Sequence, residues 1–352
     1  MKVLYFGTYE RRHPRNAQVI SCLRRAGVEV AERHVPVWEG REHKWHAGAG
    51  AAARLAAAEL RLLRPPPEPF DALLVGYPGH LDLAAARRAA RRRPIVFNPL
   101  VSLADTFVAD RGRFGSGSVP ARALAAVDRH AFRSADLVVA DTATHAEYLA
   151  RATGAKRIEV CFVGAEERIF RPGWEPGAAF TALFVGKLIP LHGLETILAA
   201  ARLAPELRFR VVGGGQLERL LDERPANVEH VPWIDYEQLP AELHRASCAL
   251  GIFGTSDKAA RVIPNKAFQA IACGTPLATA GTPAARELLR DGESALLVPA
   301  ANPEALAAAL RRLAADPALA DALSAGGLAA YRAHASEEVL GVRWRTLIEG
   351  LL

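Results

Sequence analysis

Two stretches in the second half of the chain place basic side chains where backbone amides gather. The segments FVGKLIPLHGLE, residues 184–195, and IPNKAFQAIACGTP, residues 263–276, each join an apolar run to a helical stretch through Gly or Pro, with Lys187 or Lys266 at the junction. The first turn of a helix carries unpaired N–H groups and a partial positive charge, so a lysine beside it makes an anion site. Lysine is scarce here, with only 6 in a chain whose Lys and Arg total 44. Two lysines at such junctions point to one phosphate-bearing ligand; the plainer alternative is two surface lysines beside unrelated turns.

Strand and helix signals alternate along the chain and would position these residues. Short runs rich in Val, Leu, Ile and Phe recur at 2–6, 71–75, 94–97, 136–140 and 158–163, then at 182–185, 208–212, 248–253, 276–279 and 295–298. Stretches of Ala, Leu, Arg and Glu with helical spacing lie between them, which predicts an α/β protein of doubly wound parallel sheets. The Pro- and Gly-rich segment 163–177 predicts a linker, giving domains over 1–165 and 178–335 and a terminal helix over 336–352. That helix aligns Val339, Trp344, Leu347, Ile348 and Leu351 along one face. Ligands of such sheets bind at the carboxyl ends of the strands, so the loops there are where chemistry belongs.

Together the two segments resemble the C-terminal half of retaining GT-B glycosyltransferases, glycosyltransferase family 4, also called glycosyl transferases group 1. Gly186-Lys187 and His192-Gly193 match the family's Gly-Arg/Lys turn and its Lys-Gly or His-Gly pair, and Ala272-Cys273-Gly274-Thr275-Pro276 matches its Ala-Cys-Gly-x-Pro stretch. Where the family has two glutamates with seven residues between them, this chain has Arg261 and Gln269; a neutral amide still hydrogen-bonds a hydroxyl. The resemblance implies a GT-B fold: two Rossmann-like domains facing a cleft, with the C-terminal helix crossing back to the N-domain. It implies an enzyme moving a sugar from a nucleotide-sugar to a hydroxyl acceptor, a lipid-linked or cell-envelope precursor among the candidates, with retention of configuration. The rivals are a GT-B epimerase or phosphorylase, and a degenerate GT-B protein that binds nucleotide-sugar or a partner without turnover.

A departing diphosphate needs cations and oriented N–H groups at its oxygens. The resemblance gives that role to Lys187 and Lys266, with His192 nearby, and adds Gly7, Gly213 and Asn265 as donor-side positions. It sets Trp233 and Ile234 at the nucleotide base and Gln269 and Glu287 at the ribose. In the first domain His80, Asn98 and Asp105 follow apolar strands and would line the acceptor side, His80 as a catalytic histidine or as a structural hydrogen-bonder. No metal and no cofactor are expected: His43, Lys44, Trp45 and His46 lack acidic or cysteine company, and Cys22, Cys161, Cys248 and Cys273 form no close pair.

The net charge is +6, with Arg87, Arg88, Arg91, Arg92 and Arg93 clustered before one strand and Arg11, Arg12 and Arg15 after another. Such a face suits either an anionic membrane surface, at about 1 kcal/mol per basic residue, or plain solvation. No nucleic-acid module appears. The chain enters a strand at once and holds no apolar run of membrane-spanning length, so the expected place is the cytoplasm, with the inner membrane face as the peripheral alternative.

Overall fold

In the computed structural model, which describes residues 1–37, 49–66 and 68–352, the apolar runs become strands of two parallel sheets. The first half contributes β1 (Lys2–Gly7), α1 (Pro14–Arg25), β2 (Glu29–His34), α2 (Ala49–Leu62), β3 (Ala72–Val75) and α3 (Leu83–Ala90). It continues with β4 (Ile95–Phe97), α4 (Val119–Ser134), β5 (Leu137–Ala140), α5 (Ala143–Thr153) and β6 (Ile158–Val160). The second half contributes β7 (Thr181–Val185), α6 (Leu194–Leu203), β8 (Arg208–Val212), β9 (Val228–Val231), α7 (Leu239–Arg245) and β10 (Cys248–Leu250). It ends with α8 (Asp257–Arg261), α9 (Asn265–Cys273), β11 (Leu277–Ala280), β12 (Leu296–Val298), α10 (Pro303–Ala315), α11 (Pro317–His334) and α12 (Glu337–Glu349).

The strands run β2-β1-β3-β4-β5-β6 in one sheet and β12-β11-β10-β7-β8-β9 in the other. The alternation of side chains along each strand divides the first core in two. Phe6, Leu73, Val75 and Phe97 face one helical layer, while Val3, Tyr5, Leu74 and Val139 face the other. In the second sheet Phe184, Phe209 and Leu250 pack with Ile197 of α6 and Leu306 of α10. β2 and β9 are strands that the sequence reading did not name, and each is an edge strand whose residues are mostly half-exposed or exposed.

The chain divides into one compact unit of Met1–Val108, Gly112–Val163 and Glu337–Leu352, and a second of Ala109–Arg111 and Gly164–Ser336. The segment read as a linker is fixed to the second unit: Trp174 Nε1–H donates to the Ala246 carbonyl at 2.8 Å, and the Gly177 N–H to that of Arg245 at 3.0 Å. α12 belongs to the first unit and packs on α1, burying Leu340, Trp344, Leu347 and Ile348. Val339 of the predicted face instead stays 37% exposed, because Leu340 takes the inward position one turn before Trp344. Gly341 allows the close approach of the two helices, since a Cβ there would fall 2.5 Å from the Cys22 carbonyl oxygen. Among the described residues no helix is long and apolar enough to cross a membrane. The segment His43–His46 lies outside the described residues.

Candidate functional site

Within the second unit, neighbouring strands end in glycine turns that meet backbone to backbone. Gly213, after β8, has φ +129°, and a Cβ there would fall 2.1 Å from the Gly186 carbonyl oxygen, so only glycine fits. The Gly186 N–H donates to the Val212 carbonyl at 2.9 Å and the Leu188 N–H to that of Gly214 at 3.0 Å, which leaves Lys187 exposed at the tip. The chain then makes one turn of 3-10 helix, Pro190–His192, and Gly193 in the left-handed conformation opens α6. His192 is buried, donates from Nδ1 to the Lys187 carbonyl, and sets its ring edge-on to Phe184 with centroids 5.5 Å apart.

Lys266 reaches the same place from the first turn of α9. Its Nζ lies 3.5 Å from the centroid of the Phe184 ring, and a Cβ added to Gly186 would come within 2.9 Å of it. That Nζ is buried and has no hydrogen-bond partner among the described residues. Burial holds its pKa well below the usual lysine value. His192 is likewise driven well below its ordinary pKa, first by burial and then by the positive charges of Lys266, Lys258 and Arg111. The helices that deliver these groups start without a side-chain cap: Gly193 precedes α6 and Pro264 precedes α9. α3 and α7 also start without one, whereas His13, Ser118, Thr142, Asn302 and Asp316 cap α1, α4, α5, α10 and α11 with their own side chains. Basic side chains and two such helix starts form the surroundings an anion seeks.

Residues 179–316 match the family described as Glycosyl transferases group 1. This part of the chain is a glycosyl transferases group 1 domain. A D-inositol 3-phosphate glycosyltransferase of Rhodococcus opacus is 30% identical over 72% of this chain and 61% of its own length, and one of Streptosporangium roseum is 32% identical over 55% and 51%. The chain thus spans less than two thirds of the length of these relatives. Sucrose-phosphate synthase from Thermosynechococcus elongatus superposes with a TM-score of 0.77 at 19% identity, covering 99% of this chain and 98% of that one. Anabaena HepE, solved in complex with UDP and glucose, gives 0.70 at 15% identity over 100% of both chains. The fold is GT-B.

In the group 1 domain the other donor-side residues named from sequence sit on successive loops. Trp233, 76% exposed, and half-buried Ile234 follow β9, which is tied to Gly213 through the Gly213 N–H to the Val231 carbonyl at 2.9 Å. Asn265 opens α9, and one turn on the buried Gln269 donates from Nε2 to the Tyr236 hydroxyl at 3.4 Å. Burial, then the Glu166 carboxylate, raises the pKa of Tyr236. Glu287 is half-buried in the 3-10 turn after β11. Lys258 and Tyr236 are members that the sequence reading missed. The scarcity of lysine that singled out Lys187 and Lys266 applies equally to Lys258, which follows the β10 run; nothing local marks Tyr236.

The first unit treats its named residues differently. A Cβ on Gly7 would fall 2.1 Å from Asp82 Oδ2, and the Thr8 N–H and hydroxyl donate to that carboxylate at 2.7 and 3.0 Å. The glycine therefore admits an internal carboxylate rather than opening a phosphate cradle. His80 is buried against Phe97 and Phe132 and bonds the Val101 carbonyl at 3.1 Å; burial lowers its pKa, and of its two readings the structural one fits. Asn98 is fully buried and accepts from Arg15 Nε at 3.0 Å, so it does not line an open acceptor surface. Asp105 is buried where its N–H donates to the Ser102 hydroxyl at 3.1 Å. Arg15 itself leaves the expected basic face: fully buried, it bonds the Phe162 and Cys161 carbonyls and stands 5.6 Å from the Trp344 ring centroid. Arg11 pairs with Glu32 and Arg87 with Asp136. The exposed remainder is Arg12, Arg88, Arg91 and Arg92.

Proposed function

We propose that this chain is a glycosyltransferase that takes a sugar from a nucleotide-sugar and places it on a hydroxyl acceptor with retention of configuration. The observation that carries the donor half is Lys266: a buried amine with no protein partner, set beside the Gly186 turn, at the start of a helix with no side-chain cap. A diphosphate oxygen seated there would meet the ammonium of Lys266, the exposed Lys187 and the first amides of α6 and α9. These are the groups that stabilise negative charge as the sugar–phosphate bond breaks, and they cost little to reorganise because the fold has already placed them. Trp233, an open indole on the loop after β9, offers a face to a nucleotide base. The UDP and UDP-glucose of the HepE structures make uridine nucleotides the first donors to try.

Binding without turnover is the second reading, and it rests on Arg261 and Gln269 standing where the family's glutamates would be. Release of nucleoside diphosphate from a panel of nucleotide-sugars, with and without polyol and lipid-linked acceptors, separates the two. Release above the rate of a Lys187→Ala, Lys266→Met double variant supports transfer. Binding with no release from any donor supports the second reading.

A further inference from the structure

The Lys266 amine raises a question of charge that the donor site alone does not answer. An ammonium hydrogen-bonds through all three of its protons, yet Nζ here has no partner among the described residues and lies against the face of Phe184. The groups that act on its neighbour His192 are cations, Lys258 and Arg111 besides Lys266 itself, and the turn beneath carries Lys187. A buried charge without a hydrogen-bond acceptor is costly. The face of Phe184 attracts an ammonium, but less strongly than burial without an acceptor opposes one; an uncharged amine over the ring keeps a weak N–H···π contact and avoids that cost.

Resting on the donor-site reading, we propose that Lys266 is uncharged in the free protein and takes up a proton from the buffer when the diphosphate of a nucleotide-sugar binds at the Gly186–Lys187 turn. The lone pair of Nζ accepts the proton, –NH2 becomes –NH3⁺, and the new ammonium donates to the phosphate oxygens as their counter-ion. Binding of a dianionic ligand is thereby accompanied by partial neutralisation inside the site. The low pKa that burial gives Lys266 fits this picture. His192, also low, donates from Nδ1 to the Lys187 carbonyl, so a proton there would have to go to Nε2.

Linkage fixes the sign: a site that gains a proton on binding weakens as pH rises, by up to about tenfold in Kd per pH unit above the pKa of the free amine. The test is calorimetric titration with UDP-glucose in buffers of different ionisation enthalpy at one pH. UDP-glucose is used rather than UDP because its diphosphate is a diester and does not titrate near neutrality. A buffer-dependent enthalpy corresponding to uptake of about one proton is expected for the wild type. Lys266→Arg, whose guanidinium is always charged, should bind with no buffer dependence, and His192→Asn should keep it. Tight binding by the wild type with no buffer dependence overturns the inference and leaves the donor site standing. A dependence that survives in Lys266→Arg and vanishes in His192→Asn moves the proton to the histidine and likewise overturns it. No binding of UDP-glucose or of any other nucleotide-sugar removes the donor site and the inference together.

Discussion

At the end of β1 the Thr8 amide and hydroxyl are taken by Asp82, and after β4 the Leu103 and Ala104 amides and the Ser102 hydroxyl are taken by Asp128 at 3.0, 2.9 and 2.7 Å. At the end of β7, in a sheet of the same strand number and direction, the groups that gather are Lys187, Lys266 and His192, with Lys258 in range. One carboxylate does enter there, Glu218, accepting from the Gly215 N–H at 3.2 Å. At these strand ends the first unit therefore satisfies donors with its own carboxylates, while the second holds a buried amine that has no hydrogen-bond partner among the described residues. The same topology can thus end either in a closed structural network or in a charged seat, and the side chains decide which.

Breaking the closed network should cost stability. Asp82→Ala removes the carboxylate that accepts from the Thr8 amide and hydroxyl, a loss of about 1–3 kcal/mol on the scale of a buried hydrogen-bond partner, and is expected to lower the urea midpoint clearly while leaving nucleotide affinity of the second unit unchanged. A loss of affinity without a loss of stability would place Asp82 in the site. The reverse pattern is expected for Lys187→Ala: a charge-assisted contact to phosphate is worth about 1.5–3 kcal/mol, and exposure reduces it, so Kd for a nucleoside diphosphate should rise several-fold with the midpoint unmoved. Unaltered Kd would remove Lys187 from the site.

The smallest effect concerns pH. Glu59 of α2 hydrogen-bonds Asp82, and burial, then that neighbour, raises its pKa to about 9, while burial raises that of Asp82. The sign follows from proton binding: between the unfolded carboxyl pKa and the folded one the native state holds the extra proton, so stability is present at low pH and lost as pH rises through that window. Glu59→Gln, which cannot ionise, should flatten the fall of Tm between pH 6 and 9. Parallel curves for variant and wild type would mean that the carboxyl pair does not hold the extra proton.

The strands legible in the sequence were those whose runs are apolar; β2 and β9 escaped because an edge strand meets the core on less of its surface and tolerates Glu, Arg and His along its length. Lys187 and Lys266, the lysines proposed for the donor site, were legible for a local reason, their place at a glycine or proline junction between a strand and a helix. That Lys266 is buried while Lys187 is exposed was not, since it depends on Phe184 and Gly186 arriving from another strand. His80 and Asn98 looked like cleft residues because each follows an apolar run. Their partners lie far along the chain, Arg15 being 83 positions from Asn98, and no local pattern announces that a polar residue is already satisfied.

The central claim, that the second unit keeps the Lys266 amine for a nucleotide diphosphate, is tested most directly by thermal unfolding of wild type and Lys266→Met side by side, free and with a panel of nucleotide-sugars that includes UDP-glucose. A ligand that binds only the folded state must raise Tm, so the wild type should be stabilised selectively by one nucleotide. Free Lys266→Met should melt no lower than wild type, because the substitution removes a buried unpartnered amine, and should lose most of the ligand-induced rise. Equal stabilisation of the two proteins, or no stabilisation of the wild type by any nucleotide-sugar, would contradict the account.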